Sequence, residues 1–94
     1  MDHNANNKAL FDAADQFIAM ANALSKNDRS GLAGTAIRYA AARYSAFEAS
    51  RMSPDLSADK AKMRELFTQE FDKMMEIHLD AYIDHLAAQK IPKE

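Results

Sequence analysis

The sequence predicts an all-α protein, a three-helix bundle of two antiparallel helices and a long third helix. Three observations carry this. Valine is absent, and isoleucine plus threonine total seven residues, whereas strands draw on β-branched side chains. The residues that favour helix are abundant, and alanine alone supplies 19 of the 45 apolar positions. Finally, no glycine or proline interrupts the 33 residues from Ala58 to Lys90, a stretch that would run for about 50 Å as one helix.

Helix one is expected over about residues 7–26. Asn6 and Asn7 are good N-caps. Leu10, Ala14, Phe17, Ala21 and Leu24 recur at three- and four-residue spacing and define one apolar side. Phe11, Ile18 and Met20 flank it, and Lys8, Asp12, Asp15, Gln16 and Asn22 are left mostly toward water. Lys26-Asn27 ends the helix, because asparagine tolerates the left-handed conformation of a helix end. Asp28-Arg29-Ser30 is then a short link, and a short link makes the next helix an antiparallel neighbour.

Helix two is expected over about residues 30–52, capped by Asp28 or Ser30. Its stripe is Ala33, Ile37, Ala40, Tyr44 and Phe47, and the small Ala33, Ala36 and Ala40 permit close approach of another helix. Tyr39 and Arg43 lie one turn apart, a spacing at which a guanidinium stacks on a ring. Ser53 precedes Pro54, and a residue before proline resists the helical conformation. Met52–Leu56 is therefore a loop. Ser57 is the expected cap of helix three, about residues 58–90, and Ile91-Pro92 marks its far end.

Helix three changes face along its length. Met63, Phe67, Phe71 and Met74 share one side, whereas Leu79, Tyr82, Ile83 and Leu86 centre roughly 120° away, the turn falling near Ile77. The first side continues instead as His78 and His85. One face packs on the chain's own helices, and the rotated face needs a different cover. A second copy related by a two-fold axis supplies it, with residues 79–91 in contact and Leu79, Tyr82, Ile83 and Leu86 as the interface. The alternative is a kink near Ile77 that folds the second half back.

Composition limits what such a protein does. Ninety-four residues make one domain, 1–94, and only 26 apolar side chains larger than alanine remain for its core. A net charge of −2 does not call for a polyanionic partner. The charge is uneven: residues 31–53 carry three arginines and one glutamate, whereas residues 54–94 carry nine acids and six bases. Cysteine is absent, which excludes disulfides and thiolate chemistry. Met1-Asp2-His3-Asn4 has no basic stretch or apolar run of a signal peptide, and no apolar run approaches the 18 residues of a membrane span. A bacterial-type cytoplasmic protein is the default expectation.

No residue pattern specifies a reaction, so no catalytic, cofactor-binding or metal-binding residue is assigned and no enzyme activity is expected. His78 and His85 stand seven residues apart, about 10.5 Å along a helix. Neither has a carboxylate or histidine three or four residues away, and the Glu-x-x-His pattern of di-iron bundles is missing. They read as rim residues. Met1-Asp2-His3 has the amine, amides and imidazole of a square-planar Cu(II) or Ni(II) set, though a disordered end is the simpler reading. Six methionines and five phenylalanines suit an adaptable groove, but at helical spacing they read first as core. Arg38, Arg43 and Arg51 are matched to phosphate, yet an alanine-rich helix offers few base-reading side chains. Glu48 with Arg51 is better placed as a helical ion pair. Gly31 and Gly34 do not make a phosphate loop, and Asp80 and Asp84 read as solubility charges.

Two segments resemble a known family. Phe17-Ile18-Ala19-Met20-Ala21-Asn22 in helix one and Tyr39-Ala40-Ala41-Ala42-Arg43-Tyr44-Ser45-Ala46-Phe47 in helix two are similar to domain-of-unknown-function family 3144. The acid-rich stretch Phe67 to Tyr82 is similar in character, so the resemblance covers about residues 9–86. The Met52–Ser57 loop and both termini lie outside it. The resemblance implies a stand-alone bacterial cytoplasmic protein and carries over no activity and no site residues. The resulting expectation is a small non-enzymatic interaction or regulatory protein that forms a homodimer through helix three, with an unidentified protein as a further partner. A ligand-binding module with an apolar groove near His78 and Tyr82 is the alternative, and a weak nucleic-acid binder acting through helix two is the third reading.

Overall fold

The computed structural model describes residues 3–90, with side chains from Asn7 to Gln89. Within that span the protein is all-α. Its three helices are α1 (His3–Ser25), α2 (Leu32–Met52) and α3 (Leu56–Lys90), and no strand occurs among the described residues. The Met1-Asp2-His3 amine–imidazole set and the Ile91-Pro92 stop lie outside the described residues and side chains.

The helix ends at the two connections are closed by short polar side chains. At the end of α1 the Ser25 hydroxyl donates to the carbonyls of Ala21 (3.0 Å) and Asn22 (3.1 Å), the latter among the last-turn acceptors that a helix terminus leaves unpaired. In the link, Ser30 N–H donates to Asp28 Oδ1 (2.8 Å) and Leu32 N–H donates to Ser30 Oγ (3.3 Å). Both residues expected as caps are thus used, in relay. Gly31 then supplies a positive φ of 92°, which glycine adopts without a Cβ penalty. Its carbonyl accepts from Thr35 N–H (3.2 Å), so α2 begins at Leu32, two residues later than expected.

The second connection corrects a cap. Ser57 lies inside α3, and the capping residue is Asp55, whose Oδ1 accepts from Ala58 N–H (3.2 Å) and whose carbonyl accepts from Asp59 N–H (3.0 Å). Ser53 organises the turn: its Oγ accepts from Asp55 N–H (3.1 Å) and donates to Asp59 Oδ2 (2.7 Å). Pro54 sits between them with its backbone set near helical φ, so the chain re-enters helix at once and the loop shortens to three residues, Ser53–Asp55.

The chain divides into two compact units, with the boundary inside α2 between Phe47 and Glu48. In the first unit, Ala33 is buried, and Ala14, Ala21, Gly34 and Ile37 are half-buried. All but Gly34 belong to the two expected stripes; the stripe residues Leu10, Phe17, Leu24, Ala40, Tyr44 and Phe47 stay exposed. In the second unit Ala49 and Met63 are buried, and Ser53, Asp59 and Phe67 are half-buried. Ala33 and Ala49 are 16 residues apart, which places them roughly 160° apart around α2. α2 therefore buries one side near its start and nearly the opposite side near its end. That is why a single stripe from Ala33 to Phe47 does not describe it.

Candidate self-association face

α3 is continuous from Leu56 to Lys90, 35 residues, or about 52 Å of helix. The helix runs unbroken through Ile77, so the second half does not turn back on the first. Burial fades along it. Met63 is 9% exposed and Phe67 half-buried, but Phe71 and Met74 on the same side are already exposed, and every described residue from Thr68 onward is in contact with solvent.

The four residues expected at an interface all lie in that exposed half. Leu79 is 54% exposed, Tyr82 66%, Ile83 61% and Leu86 51%. They fall within eight residues on one helix, so they form one apolar strip rather than scattered contacts. Leu79 and Leu86 are seven residues apart, and Tyr82 and Ile83 lie between them. An isolated exposed leucine needs no explanation, whereas a contiguous apolar patch marks a contact surface. His78 and His85 border the strip, and the side-chain nitrogens of Gln89 and His85 lie within hydrogen-bond distance at 3.1 Å. All these residues being exposed, the groove expected beside His78 and Tyr82 is not enclosed by its surroundings.

The other candidate residues are placed as follows. Arg38 folds back over its own helix, and a Cβ on Gly34 would lie 3.5 Å from its guanidinium nitrogens. Tyr39, the expected platform for Arg43, is largely exposed. The aromatic contact on α2 is instead Tyr44 with Phe47, ring centroids 5.7 Å apart and tilted by 50°. Among the described residues no group of three or more His, Asp or Glu side chains is placed to hold a metal ion, and no helix is long and apolar enough to cross a membrane.

Sequence reasoning did not anticipate an open hollow of about 470 Å³ at the α1–α2 link. Ala21, Asn22 and Ser25 line it from α1, Asp28, Arg29 and Gly31 from the link, and Ala33 and Gly34 from α2. The hydrogen bonds from Ser30 hold the Asp28 carboxyl below its ordinary value, because they favour the charged form. Its polar groups serve the turn itself: Asp28 binds Ser30, and Ser25 binds α1 carbonyls. The signal for such a hollow was the small residues Gly31, Ala33 and Gly34, which bring little side-chain volume to its lining.

Fold and surface together define a small all-helical protein that exposes large apolar side chains on all three helices, Leu79, Tyr82, Ile83 and Leu86 among them. The family model described as "Protein of unknown function (DUF3144)" matches residues 10–83, well over half of the chain, and the chain belongs to that family. The match takes in both segments that carried the resemblance and extends into the apolar strip as far as Ile83. No curated protein and no solved structure matches the chain.

Proposed function

We propose that this protein is a small non-enzymatic interaction or regulatory protein that works as a homodimer, joined through the C-terminal half of α3. The observation that carries the reading is the exposure of Leu79, Tyr82, Ile83 and Leu86 together on one continuous helix. Fully burying a large apolar side chain is worth about 1.5–3 kcal/mol. Taking half of that for side chains already half-covered, eight of them across a two-fold interface supply roughly 6–12 kcal/mol. Association costs about 4–15 kcal/mol in lost rigid-body freedom. The balance describes a reversible pair rather than a permanent one, as suits a regulatory component.

Light scattering from tens to hundreds of micromolar protein tests this. The expected mass approaches twice the 10.5 kDa chain as concentration rises. Leu79→Glu plus Leu86→Glu is expected to stay at the single-chain mass with its helical circular dichroism intact. A wild-type chain that remains at 10.5 kDa throughout, or a folded double variant that still pairs, overturns the reading.

A further inference from the structure

We propose that the two copies of α3 pair in antiparallel orientation along one seam: Asp72, Met75, Leu79, Tyr82, Leu86 and Gln89. This rests on the self-association just argued and fixes its geometry. The six residues are spaced three, four, three, four and three apart. That 3.5-residue average is the repeat of a helix laid along another helix. All six are exposed; the Gln89 amide also lies 3.1 Å from His85 Nε2 on its own helix, and its two N–H donors allow a second partner. From Asp72 to Gln89 the seam covers 18 residues, about 27 Å of helix.

The polar residues at its two ends decide the direction. In a parallel in-register pair each seam residue meets its own copy. Asp72 would face the partner's Asp72, setting two carboxylates against each other, and Tyr82 would face the partner's Tyr82. In the antiparallel pair the a and d positions exchange. Leu79 then meets the partner's Tyr82, Met75 meets the partner's Leu86, and Asp72 meets the partner's Gln89. The amide of Gln89 has N–H donors and the carboxylate of Asp72 accepts them. Four apolar layers are thus closed at both ends by a carboxylate–amide pair, with no like-charge contact in the seam. Opposed helix dipoles favour the same direction. His78 and His85 lie on one flank, each beside the other's counterpart in the partner.

The chain has no cysteine, so engineered thiols report geometry without background. Met75→Cys and Leu86→Cys proteins are mixed in equal amounts, oxidised gently and weighed by mass spectrometry. The antiparallel seam predicts the mixed 75–86 disulfide and no self-linked product from either variant alone. Self-linked products from each alone overturn the orientation and leave self-association standing. A pair that forms neither disulfide overturns the seam. A wild type that is monomeric by light scattering overturns both this inference and the proposed function. Gln89→Lys, a surface change that leaves the fold untouched, gives a second readout. Facing the partner's Asp72 twice per dimer, it is expected to tighten pairing by about two- to five-fold, the scale of two exposed ion pairs. Unchanged or weaker pairing overturns the antiparallel register.

Discussion

At the scale of single residues, the fold is decided by who accepts the free amides at helix starts. Ser57 was the expected cap of α3, and Asp55, two residues earlier, has a side chain of the same capping kind, able to reach a backbone N–H two or three residues on. The structure uses Asp55, since its oxygen reaches Ala58 N–H and its carbonyl reaches Asp59 N–H. Ser57 sits inside the first turn. Removing a cap costs about 1 kcal/mol, whereas a serine within an exposed first turn contributes little. Asp55→Ala is therefore expected to lower the stability measured by urea unfolding by about 1 kcal/mol. Ser57→Ala is expected to leave it unchanged or slightly raised. Equal losses in the two variants would return the capping role to Ser57.

At the scale of the element, α2 shows what a sequence stripe reveals and what it does not. Helix existence was legible in the chain, because Pro54, the Asn27–Gly31 link and the alanine-rich runs leave few other conformations. Of the two expected stripes, Ala14, Ala21, Ala33 and Ile37 are buried or half-buried, whereas Ala40 and the large Leu10, Phe17, Leu24, Tyr44 and Phe47 are exposed. The stripe from Ala33 to Phe47 assumed one partner for the whole helix. The boundary between the two compact units instead falls after Phe47, and the burial of Ala49 puts the working side nearly opposite. Periodicity averages over a helix, so it misses an element shared between two units. On α3 the spacing of Leu79, Tyr82, Ile83 and Leu86 placed them on one side, and the four are exposed together.

The start of α2 carries a paired prediction at the same scale. Gly31 holds a φ of 92°, where a Cβ costs roughly 1–2 kcal/mol. Gly34 lies within the helix, and a Cβ there makes only ordinary contact with the Arg38 guanidinium at 3.5 Å. Alanine is the better helix former by about 1 kcal/mol. Gly31→Ala is expected to destabilise and Gly34→Ala to stabilise, each by about 1 kcal/mol in the same urea titration. A shift of the same sign in both would mean that space, rather than backbone conformation, governs this turn.

At the scale of the whole molecule, the question is how so small an interior sustains a folded chain. Among the described residues only Ala33, Ala49 and Met63 are buried, and two of those are alanines that bring little apolar area out of water. Under the proposed pairing, surface shared between two copies adds to what the chain's own packing provides, and shared surface makes stability depend on concentration. Anything that binds the folded state alone raises its melting temperature by mass action, and under the proposed pairing a second copy is such a ligand. Each tenfold rise in protein concentration strengthens a dimer by about 1.4 kcal/mol, or about 0.7 kcal/mol for each chain. For a domain of this length a change of 1 kcal/mol moves the midpoint by about 4–8 °C. The thermal midpoint is therefore expected to climb by about 3–6 °C for each tenfold concentration step once pairing is populated. Under the same protocol Leu79→Glu plus Leu86→Glu should give a flat line. A wild-type midpoint that does not move from micromolar to millimolar protein would mean that each chain is stable alone, and the strip on α3 would then have to be held for a partner other than itself.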